Sequence, residues 1–222
     1  MKVMIHAVPE RMWYVRGFLL PDLLSQGVTE DEVSVWLDEE GKGNLAACME
    51  CFDALADEPG GAWHLQDDVL LSSRFAETAR QYDGGDAVVY GFCCPQSDDD
   101  PGLTGTVYMP DAWHGFPCVY IPNAWAGACA AWYFSRQWTE APELLPLVQA
   151  NRGDDAVFHT FLELHHGRET AVNLKPNIAE HVDWLLGGST MERWRPYLAR
   201  SALWDEPGAV ERLRARLKAR KA

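Results

Sequence analysis

The apolar run from Ala62 to Leu71 reads as a buried strand, yet it is interrupted by Gln66-Asp67-Asp68. Two adjacent carboxylates in such a place need a cation, a proton or several hydrogen-bond donors to offset the cost of leaving water. A divalent metal supplies that partner economically, because hard oxygen ligands suit Mg2+ or Mn2+, which commonly bridge one or two carboxylates to substrate phosphates. The other reading is a strand-end pair that faces water and caps the next helix. Asp154 and Asp155 follow Gly153 and open AVFHTFLELHH, whose apolar spacing is helical, and a helix N-terminus favours negative charge. They cap that helix, or one of them acts as general base toward an incoming hydroxyl. His181, in NIAEHVDW, is either a satisfied, partly buried histidine or a metal ligand.

Arg11, Lys42 and Asn44 are polar or basic positions in an acidic chain, and each falls in a loop after an expected strand. Singly they suit a surface; gathered at one sheet edge with Asp67 and Asp68 they could neutralise a nucleotide diphosphate. Cys48 and Cys51 form a CxxC, but they sit in NLAACMECFDAL with helical apolar spacing, and no second CxxC or CxxH pair completes a four-ligand zinc set. They read as buried helical thiols.

These positions need elements to hold them. KVMIHAV, residues 2–8, is a first buried strand stopped by Pro9. A helix is expected from Met12 to Gln26, a strand over Val33 to Leu37, and a helix over Leu45 to Ala56 capped by Asn44. After Pro59-Gly60-Gly61 come the interrupted strand, a helix through Arg80 capped by Ser72 or Ser73, and a strand over Asp86 to Cys93. This βαβαβαβ order predicts an α/β fold: a mostly parallel, Rossmann-like central sheet flanked by helices, with ligands at the carboxyl ends of its strands. Beyond Cys94 the pattern changes. Gly105 to Met109 and Cys118 to Ile121 read as short strands, Ala124 to Arg136 as a buried helix, Asp154 to His165 as a helix and Thr170 to Leu174 as a late strand, giving a smaller portion antiparallel at its core. The expected organisation is one domain over 1–207, with a nucleotide half at 1–94 and an acceptor half at 95–207, followed by a helix at 208–222.

The 222 residues carry 19 Lys and Arg against 33 Asp and Glu, a net charge of −14, which disfavours a protein built to ride on nucleic-acid phosphates or an anionic membrane. The last 13 residues, VERLRARLKARKA, hold six basic residues and one acidic. They read as an amphipathic helix with a solvated basic face, on a body of charge −19. The first residues are too poorly apolar for a secretory signal, and no run approaches the ~20 apolar residues of a membrane span, so the chain reads as cytoplasmic with its six cysteines reduced.

HAVPERMWYV, GKGNLAACMECFDAL leading into AWHLQDDVLLSSRF, YIPNAWAGACAAWYFSR, GDDAVFHTFLELHHG and KPNIAEHVDWLLGGS, in that order, resemble glycosyltransferases of the GT-A fold. The likeness is to small bacterial and phage enzymes and the lipopolysaccharide-modifying family. It implies a metal-dependent enzyme that moves a sugar from a nucleotide-sugar donor to a hydroxyl acceptor, whether glycan, small molecule or modified DNA base. In that family a DxD-type triplet ends a central strand. The resemblance therefore makes Asp68 a ligand of Mn2+ or Mg2+, Asp67 a donor contact, and His181 a second metal ligand, while Gln66 stands where many relatives have an acid. It makes Asp155, or Asp154, the base if the enzyme inverts the anomeric centre, and gives it a positioning role if the enzyme retains it. It sets Arg11 against the nucleotide, Lys42 and Asn44 along the donor pocket, and Trp125, Ala126 and Gly127 in the sugar and acceptor wall. Three alternatives remain at this level: a phage-type transferase acting on hydroxymethylated DNA bases, a non-catalytic nucleotide-sugar or protein-binding domain, and a metal-dependent phosphohydrolase.

Overall fold

The computed structural model of the chain describes residues 1–92, 116–167, 171–174, 176–186, 206 and 208–221. The strand expected over Gly105 to Met109, and Cys93 and Cys94, lie outside the described residues. In chain order the main elements are β1 (Lys2–Ala7), α1 (Met12–Tyr14), α2 (Leu20–Ser25), β2 (Val33–Leu37), α3 (Asn44–Leu55), β3 (Gly61–Gln66), β4 (Val69–Leu71), α4 (Phe75–Ala79) and β5 (Val88–Tyr90). They are followed by β6 (Cys118–Pro122), α5 (Asn123–Phe134), α6 (Leu145–Gln149), α7 (Asp154–His165), β7 (Ala171–Asn173), β8 (Ala179–His181), α8 (Asp183–Leu186) and α9 (Ala209–Lys221).

The fold is α/β. A central sheet of order β2-β1-β3-β6-β5-β7 is mostly parallel: β1 runs with β2 and β3, β5 runs with β7, and β6 runs against both of its neighbours. A small antiparallel sheet pairs β4 with β8. Period-2 alternation divides the sheet's side chains between two cores. Val3, Ile5, Trp63 and Leu65 face Tyr14, Phe18, Leu23 and Phe75 on one side. Met4, Ala62, Val119 and Ile121 face α3, α5 and α7 on the other. Helices on both faces follow from strands that are apolar on both faces. The helix α9 seats Leu213 and Leu217, one turn apart, in the first core, and Arg216 lies 4.5 Å from the ring centre of Phe18.

Four local expectations are corrected. The helix from Met12 to Gln26 is broken by a π-helical segment, Val15–Leu19. Pro21 lacks an N–H and would clash with the carbonyl of Gly17 in a regular helix, which the wider turn relieves. The run from Ala62 to Leu71 is two strands in different sheets, with Asp67-Asp68 forming the turn between them. Asn44 does not cap α3: the cap position is Gly43, at φ 89°, and Asn44 begins the helix with its side chain directed elsewhere. Neither Ser72 nor Ser73 is the N-cap of α4, whose cap residue is Arg74; the Phe75 N–H instead donates to the Ser72 carbonyl at 3.1 Å.

Candidate functional site

Parallel strands bring their carboxyl ends to one edge of a sheet, where the loops that follow them form a crevice. Here that edge opens into a cleft of about 960 Å³, lined by His6 at the end of β1, Asp38 just after β2, and Gln66, Asp67 and Asp68 at the end of β3. Because β6 is antiparallel, its leading residues Phe116 and Pro117 reach the same edge. The start of α7 adds Asp154 and Asp155, and the end of β8 adds His181.

Asp67 and Asp68 are both buried. The short 3-10 turn Pro9–Arg11 after β1 delivers their partners: the Val8 N–H donates to Asp67 Oδ2 at 2.8 Å, and Arg11 Nη1 donates to Asp67 Oδ1 at 2.9 Å and also to Asp68 Oδ2. The pairing of β4 with β8 places Val69 opposite His181, and the Val182 N–H donates to the Asp68 carbonyl at 2.8 Å. This brings His181 Nε2 to 3.3 Å from Asp68 Oδ1. Burial works against the Asp68 charge, but His181 and Arg11 outweigh it and hold the carboxyl down to about 2. Burial likewise works against the His181 cation, and the Asp68 carboxylate carries it up to about 9. Asp67 is pushed up to about 6 by burial and by the Asp68 charge, against the pull of Arg11. The buried acid pair thus has a guanidinium, a backbone donor and an imidazolium to offset its desolvation.

A second acidic pair opens α7. Gly153, at φ 80°, turns the chain into the helix. Asp154 is buried, accepting from Asn44 Nδ2 at 2.6 Å and from Gln66 Nε2 at 3.1 Å, so α3, β3 and α7 are tied together at one carboxylate. Asp155 is half-buried and accepts from the Ala156 N–H at 2.8 Å. Burial, reinforced by the Asp155 charge, pushes Asp154 up to about 7; burial pushes Asp155 up to about 6.

Of the positions singled out in the sequence, Arg11, Asn44, Gln66, Asp67, Asp68, Asp154, Asp155 and His181 line this one cleft. Three do not. Gly41 and Gly43, both at positive φ, fold the loop after β2 so that the Lys42 and Gly43 N–H groups donate to the Asp38 carboxylate at 2.9 and 3.3 Å. That inward backbone turns the Lys42 side chain out to Glu50, at 2.8 Å, and Glu40. Trp125 and Gly127 lie on α5, behind the sheet. Trp125 stacks on His166 with ring centres 3.9 Å apart. Gly127 permits close approach of α3's end, since a Cβ there would stand 2.5 Å from that of Ala56. Ala126 is fully buried in the second core.

Cleft residues that sequence reasoning passed over are His6, Asp38 and Asp183. His6 and Asp38 carry a usable signal, as polar residues at or just past the end of an apolar strand. Glu180, buried in β8 and pushed up to about 8 by burial, had none.

No family model matches the chain, and no curated protein matches it. Among solved structures it is similar to A197 from STIV, with 14% identity over 82% of this chain and 85% of that one and a TM-score of 0.42. It is also similar to a putative glucose-1-phosphate thymidylyltransferase from Bacillus anthracis in complex with a sucrose, with 10% identity over 90% of this chain and 96% of that one and a TM-score of 0.43. At those scores neither likeness bears on chemistry.

Proposed function

We propose that the chain is a metal-dependent glycosyltransferase that moves a sugar from a nucleotide-sugar donor to a hydroxyl acceptor. The observation that carries this reading is the convergence of two acidic pairs with different partners in one cleft at the carboxyl edge of a parallel sheet. Asp67-Asp68 is surrounded by cationic groups suited to a diphosphate, while Asp154-Asp155 is raised toward neutral pH and suited to proton transfer.

His181 Nε2 lies 3.3 Å from Asp68 Oδ1, so a divalent ion that displaces the imidazolium proton would find a carboxylate oxygen and an imidazole nitrogen converging on it. Asp68 and His181 would hold it, and when bound it would neutralise charge on the leaving diphosphate. Arg11 reaches the acids from the β1 loop and is the residue to engage the diphosphate oxygens. The ordered carboxylate of Asp154 fixes the amides of Asn44 and Gln66 at the cleft wall. Asp155, half-buried and without a side-chain partner that occupies both oxygens, accepts the proton of the acceptor hydroxyl. The hydroxyl oxygen bonds to the anomeric carbon as the bond to the diphosphate oxygen breaks, and the nucleoside diphosphate leaves with that electron pair.

The test is binding of UDP-, GDP-, ADP- and CMP-sugars, with and without Mn2+, by thermal shift and calorimetry on the full chain. A nucleotide-specific, Mn2+-dependent shift that is lost in Asp68→Ala and His181→Ala supports the reading. No shift with any donor, or a shift unchanged in both variants, refutes it.

A further inference from the structure

We infer that His6, Cys48 and His64 form a second, soft-donor site that binds a zinc-class transition-metal ion behind the cleft. The sheet alternation that faces Met4 toward α3 also faces His6 there from β1, and faces His64 there from β3. The helix α3 packs over both strands and presents Cys48 to them. One ligand atom from each of the three side chains lies within 4.8 Å of the others, and all three residues are buried.

The second observation is at His64. Its ring is fully buried among Phe52, Phe116 and His6, with centres 5.3, 5.7 and 5.7 Å away, and neither Nδ1 nor Nε2 has a hydrogen-bond partner among the described residues. A buried polar group left without a partner costs about 1–3 kcal/mol, and an imidazole carries two such atoms. A metal ion bound to one of them supplies the missing partner. Burial keeps both imidazoles in the neutral form that ligates.

Two imidazoles and a thiolate are borderline-soft donors that select zinc and its neighbours over Mg2+ or Mn2+, so this site and the Asp68–His181 pair differ in preference. Zinc–ligand bonds of about 2.0–2.3 Å put tetrahedral ligands roughly 3.5 Å apart, so the ion draws the three side chains together by about an ångström. On binding, the Cys48 thiol loses its proton to solvent and the thiolate coordinates. The resulting positive charge sits near the carboxylates of Asp38 and Asp154, which already act electrostatically on His6 and Cys48. Three protein ligands would leave one tetrahedral position for water, and of the three residues His6 lines the cleft. The ion thereby ties β1, β3 and α3 together beneath the cleft floor.

Cobalt(II) titration of the chelator-stripped, reduced full chain tests this, because a cysteine thiolate bound to cobalt gives a near-ultraviolet charge-transfer band. One cobalt per chain with that band is expected, displaced by equimolar Zn2+; cobalt held by Asp68 and His181 has no thiolate ligand and does not contribute to the band. The band should vanish in Cys48→Ser, weaken in affinity by at least about tenfold in His64→Gln and in the less buried His6→Gln, and persist in Asp68→Ala, Cys51→Ser and a Cys93→Ser/Cys94→Ser double variant. His6→Gln keeps the test open should His64→Gln fail to fold. Absence of the band in the parent chain, or its persistence in Cys48→Ser, overturns the assignment. Failure of donor binding at Asp68 leaves these readouts untouched, so the two readings fall separately.

Discussion

Replacing Asp154 with Asn should stabilise the protein at alkaline pH and do little at acidic pH. Asp154 is 4% exposed, and its carboxyl is raised from an ordinary 3.8 to about 7. An acid raised on folding holds its proton more tightly folded than unfolded. Its cost is therefore absent below about pH 4, grows as pH rises, and is complete above about pH 7. The gap between 3.8 and about 7, at ~1.4 kcal/mol per pH unit, sets a ceiling of about 4 kcal/mol. Asp155 shares that cost, and the substitution weakens the hydrogen bonds from Asn44 and Gln66 by about 1 kcal/mol. Either amide can turn its carbonyl toward the new Asn NH2, so no donor is stranded. The net expectation is a gain of about 1–3 kcal/mol at pH 8 and close to none at pH 5. Urea unfolding followed by tryptophan fluorescence, on parent and variant at both pH values, measures it. If Asp154→Asn destabilises at pH 8 as much as at pH 5, Asp154 is not the charge-penalised group described.

Arg11→Met should destabilise by about 2–4 kcal/mol in chemical denaturation, since it strips the guanidinium from two buried carboxylates; a loss below ~1 kcal/mol would mean that solvent already serves them. Asp155→Asn should lower kcat by about 10²–10⁴ with little change in donor affinity, and an unaffected turnover would remove it as the base. Gly127→Ala should cost about 1–3 kcal/mol through overpacking against Ala56, while calorimetry shows donor binding intact. Lys42→Ala, at an exposed ion pair, should leave both the unfolding midpoint and donor binding essentially unchanged; weakened binding would return Lys42 to the site.

Local chemistry was enough to read much of this molecule from the chain. Continuous apolar runs specify β1 and β6, because a strand buried on both faces has no polar alternative, while β2, an edge strand with no fully buried residue, is legible from its β-branched and aromatic residues. Helical spacing after Gly153 specifies α7, whose bounds of Asp154 and His165 coincide with the reading from sequence. The interruption of a strand by Asp67-Asp68 marked the edge at which the cleft lies, since such a pair can be accommodated only where partners converge. What those partners are was settled by tertiary structure. The pairing of β4 with β8 sets His181 against Asp68, and the turn after β1 sets Arg11 across both acids. Asn44 faced a choice between capping its own helix and bonding a distant carboxylate, and a carboxylate in α7 won because burial leaves it in greater need of a donor. Lys42 and Trp125 show the converse. Residue type suited each to the cleft, but the direction of a side chain depends on how two glycines turn a loop and on which face of α5 packs against α3, and neither is encoded at the residue itself. The His6, Cys48 and His64 cluster is the fullest case, for its members belong to three elements and come together only when a helix is laid across two strands.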